Sequence, residues 1–201
     1  PGNAQAGYLS SEFGIPANRR VVVFSGHMEE RKGVRVLVKA AIDLVDERRR
    51  EDVHFLIFGN KGDEAAPYLA LLKEKRATDF VTFGGYRSDL PQIFPNCTLG
   101  ALASTGWDSF TVSSLEMASA GLPLLVSNLQ GLSETIEEGQ TGYSFPPGDF
   151  QALADRIEEL LDNPRRLARF GEAARSRVLE SFTLETQVEN LVRVCRPVLP
   201  L

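Results

Sequence analysis

Residues 21–45 read VVVFSGHMEERKGVRVLVKAAIDLV. The stretch changes its period in the middle. Val21–Ser25 is a compact β-branched run, short enough for a strand buried on both faces. From Gly33 to Arg48, apolar residues recur at Val34, Leu37, Val38, Ala41 and Val45, the spacing of one helix face. A buried strand, a glycine-containing turn and an amphipathic helix make the first half of a βαβ unit, so the sheet it predicts is parallel.

Outward from this segment the rhythm repeats. Val53–Phe58 predicts a second strand, Ala66–Lys75 a second helix and Phe80–Phe83 a third strand. Asp89–Phe94 is framed by Pro91 and Pro95 and allows at most a short helix. Leu99–Ala103, Leu124–Ser127 and Gly142–Phe145 predict three more strands. Val112–Ala120, ended by Gly121, and the shorter Leu132–Glu138 predict helices between them. After Pro146-Pro147-Gly148 the pattern is helical only: Phe150–Leu161, Arg165–Glu180 and Leu184–Val198. Crossovers between parallel strands are right-handed, which places helices on both faces. The expected fold class is α/β: a Rossmann-like, doubly wound parallel sheet of about six strands with C-terminal helices. Residues 1–20 read as a lead-in or interdomain linker, and 21–201 as one domain that includes those helices.

Bulk properties remove several functions. A net charge of -5 without a basic stripe argues against a general nucleic-acid binder. No apolar run approaches the ~18–20 residues of a membrane span. Pro1–Ser10 has neither the basic nor the apolar region of a signal peptide, and the missing initiator Met suggests a fragment or processed product. Cys97 and Cys195 fit no metal or redox spacing and read as reduced thiols of a cytoplasmic protein.

Ligands of open α/β sheets bind outside the carboxyl ends of the strands. The residues expected there are Gly26-His27, Gly59-Asn60, Gly84-Gly85-Tyr86, Ser104-Thr105-Gly106-Trp107-Asp108 and Ser127-Asn128. Each glycine alone is explained by a turn. Together with small polar residues and two aromatics on one edge, they suit a planar base with a polar tail. The G-x-G-x-x-G fingerprint and the Walker A lysine loop are both absent, which disfavours a plain NAD or ATP domain. Lys32 lies at a helix start, where a cation is unfavourable unless an anion meets it. It is read either as a phosphate ligand or as part of a solvated cluster with Glu29, Glu30 and Arg31. Glu116 is the one charged residue between Ser109 and Ser133, on a helix expected to be packed on most sides. A buried carboxylate needs a partner, either a salt bridge or the hydroxyls of a ligand. Asp108, eight residues earlier, is either a plain helix-start acid or a second sugar-reading group.

The ordered series of segments resembles the C-terminal half of GT-B glycosyltransferases of the large retaining family 4. The segments are FSGHMEERKG (24–33), HFLIFGNKGD (54–63), VTFGGY (81–86), the block from Asp108 to Phe145 with two acids separated by seven residues, and FGEAARSRVLESFTLE (170–185). The resemblance implies a nucleotide-diphosphate sugar donor site and transfer of a hexose to an acceptor hydroxyl with retention. It implies that Glu116 accepts hydrogen bonds from the ribose and that Asp108 contacts the donor sugar. Phe110, Thr111 and Val112 would offer backbone N–H groups to sugar and distal phosphate. Lys32, with His27, would neutralise the diphosphate, and Tyr86 would lie by the base in a pocket that also takes Gly26 and Gly59. No metal site and no cofactor are expected. The implied partners are an N-terminal Rossmann-like domain of the same enzyme and an acceptor sugar or lipid, as in polysaccharide or glycolipid biosynthesis. Any membrane association is expected through that other half only. Three positions depart from the family's usual residues: Asp108 stands for Glu, His27 for Arg and Thr111 for Gly. Two other readings stay open on the sequence, a GT-B-like sugar-nucleotide epimerase and a non-catalytic nucleotide-binding or regulatory module.

Overall fold

The structure is a computed structural model, and it describes residues 4–195. Six strands form one parallel sheet: β1 (Arg20–Ser25), β2 (Val53–Phe58), β3 (Val81–Gly85), β4 (Leu99–Leu102), β5 (Leu124–Ser127) and β6 (Gly142–Phe145). Their order across the sheet is β3-β2-β1-β4-β5-β6. All neighbours pair in parallel. Chain progression therefore reverses between β1 and β4, the switch point of a doubly wound sheet, where a crevice opens at the carboxyl ends. Every residue of β2, β4 and β5 is buried. Strands without an exposed face require helices on both sides of the sheet.

Those helices are α1 (Tyr8–Phe13), α2 (Val34–Ile42), α3 (Ala66–Leu72), α4 (Leu90–Ile93), α5 (Val112–Ser119), α6 (Phe150–Leu161), α7 (Pro164–Ser181) and α8 (Leu184–Cys195). The expected helix over Gly33–Arg48 is α2 followed by a wider π turn, Asp43–Glu47. Arg48 closes that turn on Asp43 and reaches Asp155 and Glu158 of α6, which clamps the two helices together. The helix expected over Ala66–Lys75 stops at Leu72, because Glu74 takes a left-handed conformation. The one expected over Leu132–Glu138 shrinks to a single turn at Ser133–Thr135. There the Ser133 and Thr135 hydroxyls bond the Leu129 and Leu132 carbonyls, a local alternative that competes with helix propagation. The predicted end of the last helix, beyond Cys195, lies outside the described residues.

Part of the segment 4–20 packs onto the domain. Ile15 is buried in the main core, and the Phe13 ring meets Phe58 edge-on with centroids 5.6 Å apart. At the opposite end of the chain, α8 buries no residue. Leu184, Val188 and Leu191 stand exposed along it.

One buried polar group shapes stability. His54 on β2 is 3% exposed, with Nε2 2.8 Å from the Thr82 hydroxyl and Nδ1 3.3 Å from Arg19. Burial, helped by the nearby Arg19 charge, pushes its pKa down from 6.5 to about 4. The unfolded chain thus takes up a proton that the folded chain refuses between those values. The stability tied to neutral His54 is complete above pH 6.5 and is lost as pH falls towards 4, by at most about 3 kcal/mol. Urea denaturation of His54→Gln at pH 7, 5.5 and 4.5 should show a shallower loss of stability with acid than the parent chain. Parallel curves would mean that His54 takes no part in acid sensitivity.

Candidate functional site

Two backbone approaches build the crevice at the switch point. Gly33 has φ +74°, and a Cβ there would sit 1.7 Å from the Ala103 carbonyl oxygen. Only glycine lets the β1–α2 loop lie directly on the end of β4. The same contact allows the Thr105 N–H to donate to the Arg31 carbonyl at 2.8 Å and the Arg31 guanidinium to the Trp107 carbonyl at 3.0 Å. Gly59, at φ +118°, presses on the Gly26 carbonyl, where a Cβ would come within 1.8 Å. The loops after β1, β2 and β4 are therefore locked to one another before any side chain is considered.

The cleft above them has a volume of about 320 Å³, within the size of small-molecule sites. The structure brings Gly26, His27, Lys32, Gly59, Tyr86, Asp108, Thr111 and Val112 together in its lining. His27 and Tyr86 are exposed at its edge, and the Lys61 ammonium lies 4.8 Å from the Tyr86 ring centre. Two expected site residues are placed differently. The Phe110 ring packs at a tilt against Phe182 with centroids 5.2 Å apart, so only its backbone remains near the helix start. Glu116 does not line the cleft.

The expectation that Glu116 is a buried carboxylate is corrected by the packing of α5. That helix buries Ser114, Met117 and Ala118 and turns Val112 and Glu116 to solvent. Positions i and i+4 share a face, so Glu116 continues the surface that Val112 begins at the cleft. Partial dehydration still raises its pKa above the usual carboxylate range.

At the floor of the cleft Lys32 Nζ lies 2.7 Å from Asp108 Oδ1. The side chains are 16% and 4% exposed, so this is a buried ion pair. Asp108 Oδ1 also accepts from the Ser109 N–H at 2.9 Å, and Oδ2 accepts from the Ser104 hydroxyl. Burial by itself would raise the Asp108 pKa. Lys32, Ser104 and Ser109 outweigh it and hold the carboxyl below the usual range.

The start of α5 has the opposite character. Its cap residue, Thr111, accepts no N–H bond through its side chain, and Thr111 Oγ1 is buried without a partner. The helix is anchored instead by the Ser113 hydroxyl on the Ser25 carbonyl at 2.8 Å. First-turn N–H groups without a side-chain cap, beside Lys32, can accept an anion.

Sequence reasoning missed two participants and the role of a third. Ser104, two residues past β4, is among the expected edge residues, but nothing in the sequence marks it as the partner of Asp108. Ser113 was one serine among several. Arg87 also lines the cleft, next to Tyr86, and is held by Asp89 and Glu12. Among the described residues no three His, Cys, Asp or Glu side chains gather as metal ligands, and no helix is long and apolar enough to cross a membrane.

The fold is a Rossmann-like doubly wound parallel sheet, and Lys32 and the uncapped start of α5 both line the cleft at its switch point. The chain belongs to the glycosyl transferases group 1 family, whose model matches residues 9–177. It is 29% identical over 182 residues to N-acetyl-alpha-D-glucosaminyl L-malate synthase of Bacillus anthracis, covering 90% of this chain and 46% of that one. It is 31% identical over 180 residues to D-inositol 3-phosphate glycosyltransferase of Corynebacterium glutamicum, covering 87% and 43%. The chain thus spans about half the length of the curated relatives it matches. Its fold is similar to that of solved GT-B glycosyltransferases. Anabaena HepE, in complex with UDP-glucose, superposes with a TM-score of 0.85 at 22% identity, covering 96% of this chain and 52% of that one. Sucrose-phosphate synthase from Thermosynechococcus elongatus gives 0.82 at 24% identity, covering 98% and 49%.

Removing one partner of a buried ion pair leaves the other charge uncompensated. Lys32→Ala should therefore cost about 3 kcal/mol of stability, against well under 1 for an exposed control such as Lys73→Ala. Urea denaturation measures both. Equal, small losses would show that Lys32 and Asp108 are not paired in solution.

Proposed function

We propose that this chain is the donor-binding half of a retaining glycosyltransferase that moves a hexose from a nucleotide-diphosphate sugar to an acceptor hydroxyl. The observation that carries the reading is the meeting of Lys32 with the uncapped start of α5 in a cleft at the switch point. Family membership supports it, and so do relatives whose names describe transfer to malate and to inositol phosphate, and neighbours solved with UDP or UDP-glucose.

In this reading the diphosphate lies between the Lys32 ammonium and the backbone N–H groups at the start of α5. Both are set in place beforehand and stabilise the charge that develops on the departing diphosphate. His27, exposed at the edge of the cleft, offers a ring N–H to the diphosphate. The ribose hydroxyls reach Glu116, one turn beyond Val112 on the same helix face. Tyr86 flanks the base. The charge on the leaving group is met by this chain's own cation and dipoles, without a metal ion. The acceptor and the remaining catalytic groups come from an N-terminal Rossmann-like domain. The uncovered apolar face of α8 offers that domain a surface. By itself the 201-residue chain binds donor and does not sustain transfer. The setting is cytoplasmic.

The test is a titration of the chain with UDP, GDP and ADP and their sugar conjugates, followed by NMR shifts. Binding of at least one diphosphate, with shifts at the start of α5, is expected. Silence towards all of them would remove the donor-site reading and favour a non-catalytic module. In the complete enzyme, an epimerised donor formed without any acceptor would instead identify an epimerase.

Glu116 gives a sharper prediction. Its carboxylate would accept charge-assisted bonds from two ribose hydroxyls, so Glu116→Ala should weaken nucleoside diphosphate binding by about 2–4 kcal/mol. The thermal midpoint should hardly change, because the residue is exposed. Unaltered affinity by calorimetry in the folded variant would refute the ribose assignment.

A further inference from the structure

The position of the family's first signature acid is occupied here by a residue one methylene shorter, and the geometry shows where that carboxylate goes. Asp108 is drawn into the cleft floor, where its side chain is 4% exposed. A carboxylate offers about four lone-pair sites. Three are taken by protein donors: the Lys32 ammonium at 2.7 Å, the Ser109 N–H at 2.9 Å and the Ser104 hydroxyl. Ser104 is itself buried, so the anchor is protected from water. A sugar hydroxyl approaching Asp108 would meet almost no accessible surface and one free acceptor site. Lys32 is in the reverse situation. Its ammonium has three donors, and among the described residues one of them is used.

We propose that Asp108 is a positioning residue that fixes the Lys32 ammonium for the donor's diphosphate and does not read the hydroxyls of the donor sugar. The inference rests on the donor-site reading above and assigns its sugar discrimination elsewhere. The chain Ser104–Asp108–Lys32 holds a flexible lysine in one place before the ligand arrives, which is the preorganisation that charge stabilisation needs. The arrangement has an electrostatic consequence. With donor bound, one ammonium lies between two anions, and the Asp108 carboxylate repels the diphosphate. Asp108 therefore opposes ground-state affinity while it sets the cation's position.

The experiment is calorimetry on the 201-residue chain with uridine, UDP and UDP-glucose, or the corresponding guanosine or adenosine series if that base binds wild type more tightly. Wild-type binding of a diphosphate tests the donor-site reading. If wild type binds none, that reading fails and the inference falls with it. Asp108→Asn keeps the size and an acceptor oxygen for Lys32 and Ser109, turns its amide N–H to the Ser104 hydroxyl, which can accept it, and removes the negative charge. UDP and UDP-glucose should both bind more tightly, by the same factor of about three- to tenfold, with uridine unchanged. Ser104→Ala loosens the anchor and leaves the charge. It should weaken UDP and UDP-glucose by one common factor, and it keeps the test alive if Asp108→Asn does not fold. In both variants the affinity ratio of UDP-glucose to UDP should stay within about twofold of wild type. A ratio that falls about fivefold or more in either folded variant means that Asp108 reads the sugar, and overturns the proposal. Unchanged UDP affinity in the folded Asp108→Asn or Ser104→Ala variant overturns it too, because the cation would then not depend on Asp108.

Discussion

The contact between Gly33 and the Ala103 carbonyl is the constraint from which the rest of the site follows. It is a backbone approach that any side chain at position 33 would prevent. Through it the loop after β1 rests on the end of β4, although the two are separated by some seventy residues of chain. The Thr105–Arg31 and Arg31–Trp107 hydrogen bonds then become available, and Lys32 comes within reach of Asp108. The same glycine caps the start of α2 in a left-handed conformation. One residue without a Cβ thus ends a loop, starts a helix and joins the two halves of the sheet at the switch point.

Charge at the site is arranged against local stability preferences. A lysine and an aspartate are buried together, and a helix start faces the cleft without a side-chain cap. Hydrophobic replacements of similar volume would often be as stable as a buried ion pair, so its presence calls for a functional account. The pair and the helix start compensate each other in a specific way. Lys32 is neutralised in the free protein by Asp108, while the first turn of α5 keeps its N–H groups for a ligand. Ser113, in the first turn, ties the helix to the last carbonyl of β1. The proposed anion site draws on these features, and the strands beneath it are buried on both faces.

One edge of the domain carries an exposed apolar surface. Leu184, Val188 and Leu191 leave α8 with an apolar face that nothing among the described residues covers. A lone exposed leucine needs no explanation, but a stripe at helical spacing does. The stripe and the half-length match to relatives are independent observations, and the proposal of a second domain draws on both.

The sequence by itself determined the alternation of strands and helices, the parallel sheet and the edge at which the cleft opens. The reason is that buried parallel strands and amphipathic helices write their periods directly into short windows. It also marked Gly26, Lys32, Gly59 and Asp108, because glycines and charges after strands are punctuation in such a fold. What it could not determine was which of these residues spend their bonds on one another. The pairing of Lys32 with Asp108, and of Asp108 with Ser104, depends on distances set by a crossover and two loop ends, not on local composition. Glu116 shows the same limit from the other side. A uniformly small and apolar neighbourhood suggested a buried helix, and only the packing of Met117 and Ala118 against the core decided that Glu116 faces out. Helix ends at Leu72 and around Ser133 were likewise settled by a left-handed residue and by hydroxyls that bond their own backbone, effects of about the same small size as the helix propensities they overrule.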